Sequence, residues 1–559
     1  MTNVETRAAR EANTLKASHP MDDNARGRFM ALAAALLGWM FDGAEMGIFS
    51  LVGKSAVEDL MPNADAGTVG VWFNVIIASF LVGAATGGVL FGWLGDRIGR
   101  VRAMTLSVLT YALFTGFCGF AHDAWQVGIL RFIAALGMGG EWSLGVALVM
   151  EVWPNKSRAF MAGLIGAAAN VGYLLVGVLG LALLQVLGSI QEGLRGMGLS
   201  PESVEFYAGS EHRGWRLMMI AGTIPAVLTF FIRVFVPESE KWEKEQKKGT
   251  TSHWATQDLL AVIVGLAGPF LIVWLWAFNS TNLGGTVLEH GTPLRVIGTI
   301  AGLIIALVGY TYPVIRYFQR HAIHSKGASA PWALTFQRML LGATLAGVAL
   351  LGTWGSTQQA PTWADNLAKA SLAKQKAGLI AAGEVKAAEA LPAPRAREWT
   401  LIWLSVGAIV GTIGAAFAGD WLGRRMAFFL LCLLSLLSVW GLYLLNKEYS
   451  AAVLVWAFVA GTFTASFYGW LPLYLPELFG TNVRATGQGF SFNFGRILAA
   501  IGVLQVGNLL KLFSEDVQLG SLVIPHGHAL ACSVISFVYF IGMVIIWFAP
   551  ETKGQPLPD

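Results

Sequence analysis

Along this chain, apolar runs of about 20 residues or more alternate with shorter polar stretches. About 20 residues of helix cross a ~30 Å hydrocarbon core, and only helices or closed barrels satisfy their backbone groups in lipid. Runs of that length fall at 29–51, 70–94, 103–121, 124–150, 159–187 and 215–236, then at 259–281 and 294–318, and finally at 338–360, 399–419, 426–446, 450–475, 485–511 and 527–549. The pattern predicts an all-α integral membrane protein of about fourteen spans, with both termini on the same side. Two stretches, 188–214 and 362–398, read as external excursions, the second with Ala/Lys/Glu content that suggests a short surface helix.

The pattern also repeats. "FGWLGDRIGR" at 91–100 is echoed by "AFAGDWLGRR" at 416–425, "MEVWPNKSRAFMAG" at 150–163 by "LPELFGTNVRATGQG" at 475–489, and "FVPESEK" at 235–241 by "FAPETKG" at 548–554. Three landmarks in one order at nearly equal spacing indicate duplication. The expected organisation is a tail at 1–28, a six-helix bundle at 29–240, a central linker with two extra helices at 241–337, a second six-helix bundle at 338–554 and a tail at 555–559. Duplicated bundles around a midplane site are the architecture of secondary transporters.

Composition agrees with membrane, since 55% of residues are hydrophobic and only 13% charged, against about 25% charged in soluble proteins. A net charge of +4 gives no reason to expect nucleic acid. Basic residues concentrate at 95–102, 240–248, 316–326 and 419–425, and the positive-inside rule makes these loops, and both termini, cytoplasmic in a cell membrane. The three cysteines stand apart in apolar runs and read as small buried hydrophobes. No cofactor or metal is expected, and the expected partners are lipid, a small molecule and a proton, with the protein a monomer.

"GWLGDRIGRVR", from Gly92 through Asp96, Arg97, Gly99, Arg100 and Arg102, resembles the signature loop of the major facilitator superfamily. Gly92 would let two helices approach, Gly99 would permit a tight turn, and Asp96 could pair across a cytoplasmic gate. "PES" at 237–239 and "PETKG" at 550–554 resemble sugar-porter endings. "FDGAE" at 41–45, "RFIAALGMGGEWS" at 131–143 and "EVWPNKSR" at 151–158 resemble the proton symporters for sialic acid and lactate-type carboxylates. The resemblance implies a major facilitator fold, with Glu45 at the coupling-acid position, Asp42 at a second acid position, and Arg131 facing the acid of the first span. "WGSTQQAPT" at 354–362 faintly echoes the lactate symporters, with Gln358 where they carry Asp.

An acidic residue at the centre of a membrane helix costs roughly 2.5–3.5 kcal/mol, so intramembrane acids ask for a function. Asp42 and Glu45 are three residues apart and are expected to share a helix face. Two close carboxyls in a low-dielectric cavity cannot both ionise cheaply, which suits a proton carrier. Arg131 is either their partner or an interfacial, snorkelling side chain. Glu141, behind the small-residue face of Gly137, Gly139 and Gly140, could line a cavity or join a gate. Arg496, with Asn493 nearby, could grip a carboxylate in bidentate fashion or pair with an acid on another helix. Tyr468, Trp470 and Trp39 could wall the site. Arg158 with Arg484, Glu151 with Glu477, Glu238 with Glu551, and Asp420 with Arg424 are assigned to cytoplasmic gate salt bridges.

The leading expectation is a proton-coupled symporter of a small organic anion, of the sialic acid or monocarboxylate class, working by alternating access. A neutral-sugar porter, a facilitator or a sodium-coupled carrier is the alternative. A non-transporting nutrient sensor is a further one. A membrane-embedded enzyme would need convergent His, Ser or metal ligands, whereas most histidines here fall in loops.

Overall fold

The computed structural model describes residues 20–152, 157–209, 214–227, 231, 238, 240–247, 257–278, 280–283, 286–324, 332–392, 394–480, 483–513, 517–519, 522–524 and 527–558. The first repeat contains α1 (Pro20–Leu60), α2 (Ala66–Ile98), α3 (Arg100–Phe117), α4 (Ala124–Val152), α5 (Arg158–Gly196), α6 (Pro201–Ala208) and α7 (Trp215–Ala221). The centre holds α8 (Glu240–Lys247), α9 (Asp258–Ala277), hairpin β1–β2 (Ser280–Leu283, Thr286–Glu289) and α10 (Thr292–His324). The second repeat runs through α11 (Trp332–Gly355), α12 (Ala360–Ala381), α13 (Val385–Ala390), α14 (Ala396–Leu422), α15 (Arg424–Leu444), α16 (Ala451–Thr464), α17 (Phe467–Tyr474) and α18 (Arg484–Leu512). Hairpin β3–β4 (Val517–Leu519, Leu522–Ile524), α19 (His528–Ile535) and α20 (Val538–Ile545) complete it.

Thirteen helices among the described residues are long and apolar enough to cross a membrane. The span expected at 215–236 begins with α7, and much of the rest of it lies outside the described residues. Both hairpins are antiparallel, pairing Ser280 with Glu289 and Val517 with Ile524. The short surface helix expected at 362–398 is corrected: α12 is 22 residues long, and Trp363, Ala364, Asp365 and Ala368 on it are buried. Its Ala-rich sequence has high helix propensity, and the buried Asp365 is held by Arg397 at 2.9 Å.

In lipid, helices associate through close packing of small residues. A Cβ on Gly43 would strike the α5 backbone at Ala169, and one on Gly172 would strike the α1 backbone at Met40. The face Gly137, Gly139 and Gly140 serves the same end, against Ser107 and Tyr111 of α3 and against Ala84 and Phe91 of α2.

One end of the bundle carries the same device twice. Gly99, at φ 111°, and Gly423, at φ 91°, turn the chain into α3 and α15 in a conformation that L side chains rarely adopt. Glu238 then accepts from the amides of Arg100 (2.8 Å) and Val101 (3.1 Å), and Glu551 from those of Arg424 (3.0 Å) and Arg425 (3.2 Å). A carboxylate there satisfies free amides and the helix dipole. Glu551, expected in a salt bridge, is therefore a helix cap. Burial opposes its charge, but the N–H groups of Arg424, Arg425 and Lys553 outweigh that and hold its pKa below the ordinary value.

A depressed folded pKa gives stability above the unfolded value that is lost as pH falls through the folded one. Melting temperatures taken from pH ~7 down to ~3 should show wild type above Glu551→Gln at neutral pH, with the gap closing on acidification. A constant gap would remove the cap from the account.

Candidate functional site

At this same end the two repeats meet. Asp96 pairs with Arg100 at 2.5 Å and accepts from the backbone N–H of Thr486 at 3.1 Å and from its hydroxyl. Gly92 makes room for this, since a Cβ there would lie 3.3 Å from Ala485 O. The second copy has Ala416 in that place, and Gly163 on α5 supplies the space instead. Glu477 takes two hydrogen bonds from Arg424 (3.0 and 2.8 Å) and lies 3.7 Å from Arg158 of the other repeat. The C-terminal stretch lies across the junction, with Gln555 O accepting from Arg158 and Pro558 O from Arg484. Arg97 stacks over Trp93 at 5.0 Å, Arg102 is exposed, and Asp420 is largely exposed, 3.6 Å from Arg424. The side chain of Glu151 lies outside the described residues.

Midway along the bundle, the seam between repeats opens into a cavity of about 80 Å³. Trp39, Asp42 and Met46 of α1, Trp142 of α4, and Ile165, Gly166, Ala169, Asn170 and Tyr173 of α5 form one wall. Leu350, Thr353 and Trp354 of α11, then Gln358, Ala465, Tyr468 of α17, and Phe492 and Arg496 of α18 form the other. Towards the Asp96 end the floor is Trp142 stacked on Phe492, centroids 3.8 Å apart and planes within 7°. Towards the opposite end, Gln358 bonds Tyr173 (3.4 Å), and Arg397 donates to Leu51 O across the seam (3.1 Å).

Arg496 is buried, with its Cζ 5.2 Å from the Phe492 centroid. Its Nη1 and Asp42 Oδ1 have no hydrogen-bond partner among the described residues. Glu141 stands just behind: its Oε1 lies where a Cβ on Gly38 would be, one turn from Asp42, and neither of its oxygens has a hydrogen-bond partner among the described residues.

Glu45 turns away from the cavity. It pairs with Arg131 and accepts from Thr115 at 3.0 Å. The Arg131 guanidinium lies between the rings of Phe49 (4.7 Å) and Phe80 (4.4 Å). This Arg is 1% exposed, so the snorkelling alternative does not describe it. Asp42 and Glu45 lie on neighbouring positions of α1, about 60° apart, and each meets a different partner: Asp42 stands in the cavity beside Glu141, and Glu45 pairs with Arg131.

Trp470, expected in the wall, and Asn493, expected beside Arg496 in the binding set, are placed elsewhere. Trp470 packs on Phe428 and Tyr474 and donates to Arg424 O at 3.2 Å, outside the cavity. Asn493 bridges the seam, donating to Gly139 O at 3.2 Å. Sequence reading missed Trp142, Asn170, Tyr173, Trp354 and Phe492. Gly166, Ala169, Asn170 and Tyr173 do follow one helical stripe in α5, and that spacing was a usable signal.

A duplicated helical bundle enclosing a charged cavity at its internal seam is the construction of a secondary transporter. Residues 29–379 match the Major Facilitator Superfamily, and the chain belongs to that superfamily. It is similar along nearly its whole length (27% identity, 94% of this chain, 97% of the other) to a Haemophilus influenzae protein named as a metabolite transport protein. Over parts of the chain it is similar to the sialic acid transporter NanX of Escherichia coli (26%, covering 49% of this chain and 61% of the relative). The gentisate transporter of Corynebacterium glutamicum is similar as well (30%, covering 38% and 41%). The fold is that of the proton:xylose symporter XylE, with a TM-score of 0.60 at 16% identity over 96% of this chain and 98% of that one. The protein is thus a multi-pass membrane transporter with the major facilitator fold, not an enzyme.

Proposed function

We propose that the protein is a proton-coupled symporter of a small organic anion. It would act as a monomer in the cell membrane, with the Asp96 end and both termini cytoplasmic. The observation that carries this reading is Arg496, a buried guanidinium in the cavity with Nη1 unpartnered among the described residues. Guanidinium geometry matches a carboxylate with two parallel hydrogen bonds.

Charge balance supports the coupling. In the cavity and the layer behind it, three carboxyl groups (Asp42, Glu45 and Glu141) and two guanidinium groups (Arg131 and Arg496) are buried, of which Asp42 and Arg496 line the cavity itself. A low-dielectric site favours neutrality, so the empty site is balanced by one proton, and a bound monoanion draws in one more. Asp42, in the cavity beside Glu141, is the exchangeable seat, and the Glu45–Arg131 pair is its neighbour. The gate groups at the Asp96 end would hold that end shut until loading or release changes the balance between states.

The test is external pH in weakly buffered, de-energised cells on adding sialic acid, monocarboxylates, aromatic acids or hexoses. Alkalinisation with an acid, lost in Asp42→Asn and in Glu45→Gln, is the expected result. Labelled uptake with no pH change in wild type would sink the coupling.

A further inference from the structure

Beside the main cavity, and sharing Asn170, Tyr173, Thr353, Gln358 and Ala465 with it, is a side chamber of about 40 Å³ lined by α5, α11, α14 and α16. Its wall carries an unusual density of hydroxyls for membrane depth: Thr353, Thr357, Ser405 and Thr464, all buried.

The protons of these hydroxyls are already committed. Thr353 donates to Ala349 O (2.8 Å) or Thr464 O (3.1 Å), Thr357 to Thr353 O (3.2 Å), Ser405 to Leu401 O (2.7 Å), and Thr464 to Ala460 O (2.7 Å) or to the Thr357 hydroxyl oxygen (3.3 Å). Asn170 spends an amide hydrogen on Gly166 O (2.8 Å). A hydroxyl has one proton and two lone pairs, and bonding back to the carbonyl one turn earlier fixes that proton. The wall of Thr357, Ser405 and Thr464 therefore presents oxygen lone pairs, and the donors (the Tyr173 hydroxyl and the second amide hydrogens of Asn170 and Gln358) stand at the mouth shared with the main cavity. That wall accepts hydrogen bonds, whereas the Arg496 guanidinium can only donate them.

We propose that this chamber is a specificity subsite for the hydrogen-bond-donating end of a bifunctional organic anion, one whose carboxylate sits at Arg496 and whose hydroxyl or amine groups enter between Thr357, Ser405 and Thr464. This rests on the anion reading given above. Lone-pair oxygens also suit a sodium ion, but the chamber's lining holds no carboxylate to balance one, so a neutral donor is the better match. A buried acceptor set left empty by a substrate lacking hydroxyls keeps its desolvation penalty, which is how such sites reject deoxy analogues.

The experiment compares matched pairs, quinate with cyclohexanecarboxylate and gluconate with hexanoate, for binding to the purified full-length protein in lipid nanodiscs. Wild type, Ser405→Ala, Thr357→Val and Arg496→Gln are each measured in sodium and in choline salt, with melting curves as a folding control. Wild type should prefer the hydroxylated member, and either chamber variant should cut that preference about tenfold. No preference in wild type, or a preference that both variants keep, overturns the subsite while leaving the anion reading intact. Sodium-dependent binding that Thr357→Val abolishes overturns it in favour of a cation site. If no acid binds and Arg496→Gln changes nothing, the anion reading fails and takes the subsite with it.

Discussion

Arg496→Gln weakens carboxylate binding about 100-fold or more while leaving the protein folded. Hydrogen bonds to charged groups contribute about 1.5–3 kcal/mol each, and a bidentate pair makes two, so losing both reaches that size. Folding survives because the wild-type Nη1 has no hydrogen-bond partner to lose, and its desolvation is a cost that the variant escapes. Arg496→Lys should recover only a small part of the loss, since an ammonium is a point donor without the planar fork. The measurement is ligand binding to purified protein, with the melting temperature taken in parallel. Binding within threefold of wild type would move the anion site elsewhere.

Arg131→Leu destabilises the protein by about 3–5 kcal/mol, because it leaves the Glu45 carboxylate buried without its cation. It also removes the guanidinium between the Phe49 and Phe80 rings, a contact that adds to the loss. The double variant Glu45→Gln/Arg131→Leu should regain most of that stability, as replacing a whole buried pair is often close to neutral. It should still fail to couple uptake to protons, and this separates a structural pair from a functional one. A double-mutant cycle on unfolding, run beside the pH assay, reads both effects. Equal stability of the single and double variants would show that Glu45 does not need Arg131.

Several functional features could be read from the chain. Asp42, Glu45, Arg131, Glu141 and Arg496 stand out because charge inside a span is costly and persists only for a reason. The structure buries all five, with Asp42 and Arg496 in the seam cavity, Glu141 behind it and the Glu45–Arg131 pair turned away from it. The assignments that missed share a cause. Whether Asp42 and Glu45 face one neighbour or two depends on a rotation of tens of degrees and on which helix lies opposite. Trp470 and Trp142 look alike as tryptophans in apolar runs. One packs beneath Gly419 near the end of α14, where a Cβ would lie 3.2 Å from its ring; the other floors the cavity. The length of α12 was hidden because a helix anchored by one buried Asp365–Arg397 pair has only a faint hydrophobic pattern.

The sequence by itself determined most of the spans and the paired loop motifs. These are local, because lipid forces each segment to satisfy its own backbone and a tight turn demands its own glycine. Only the tertiary structure decided which charges meet, that Glu551 caps a helix, and where the aromatic walls stand. Each of those depends on the opposing surface of a helix far away in the chain, and one chain's spacing carries no record of its neighbour.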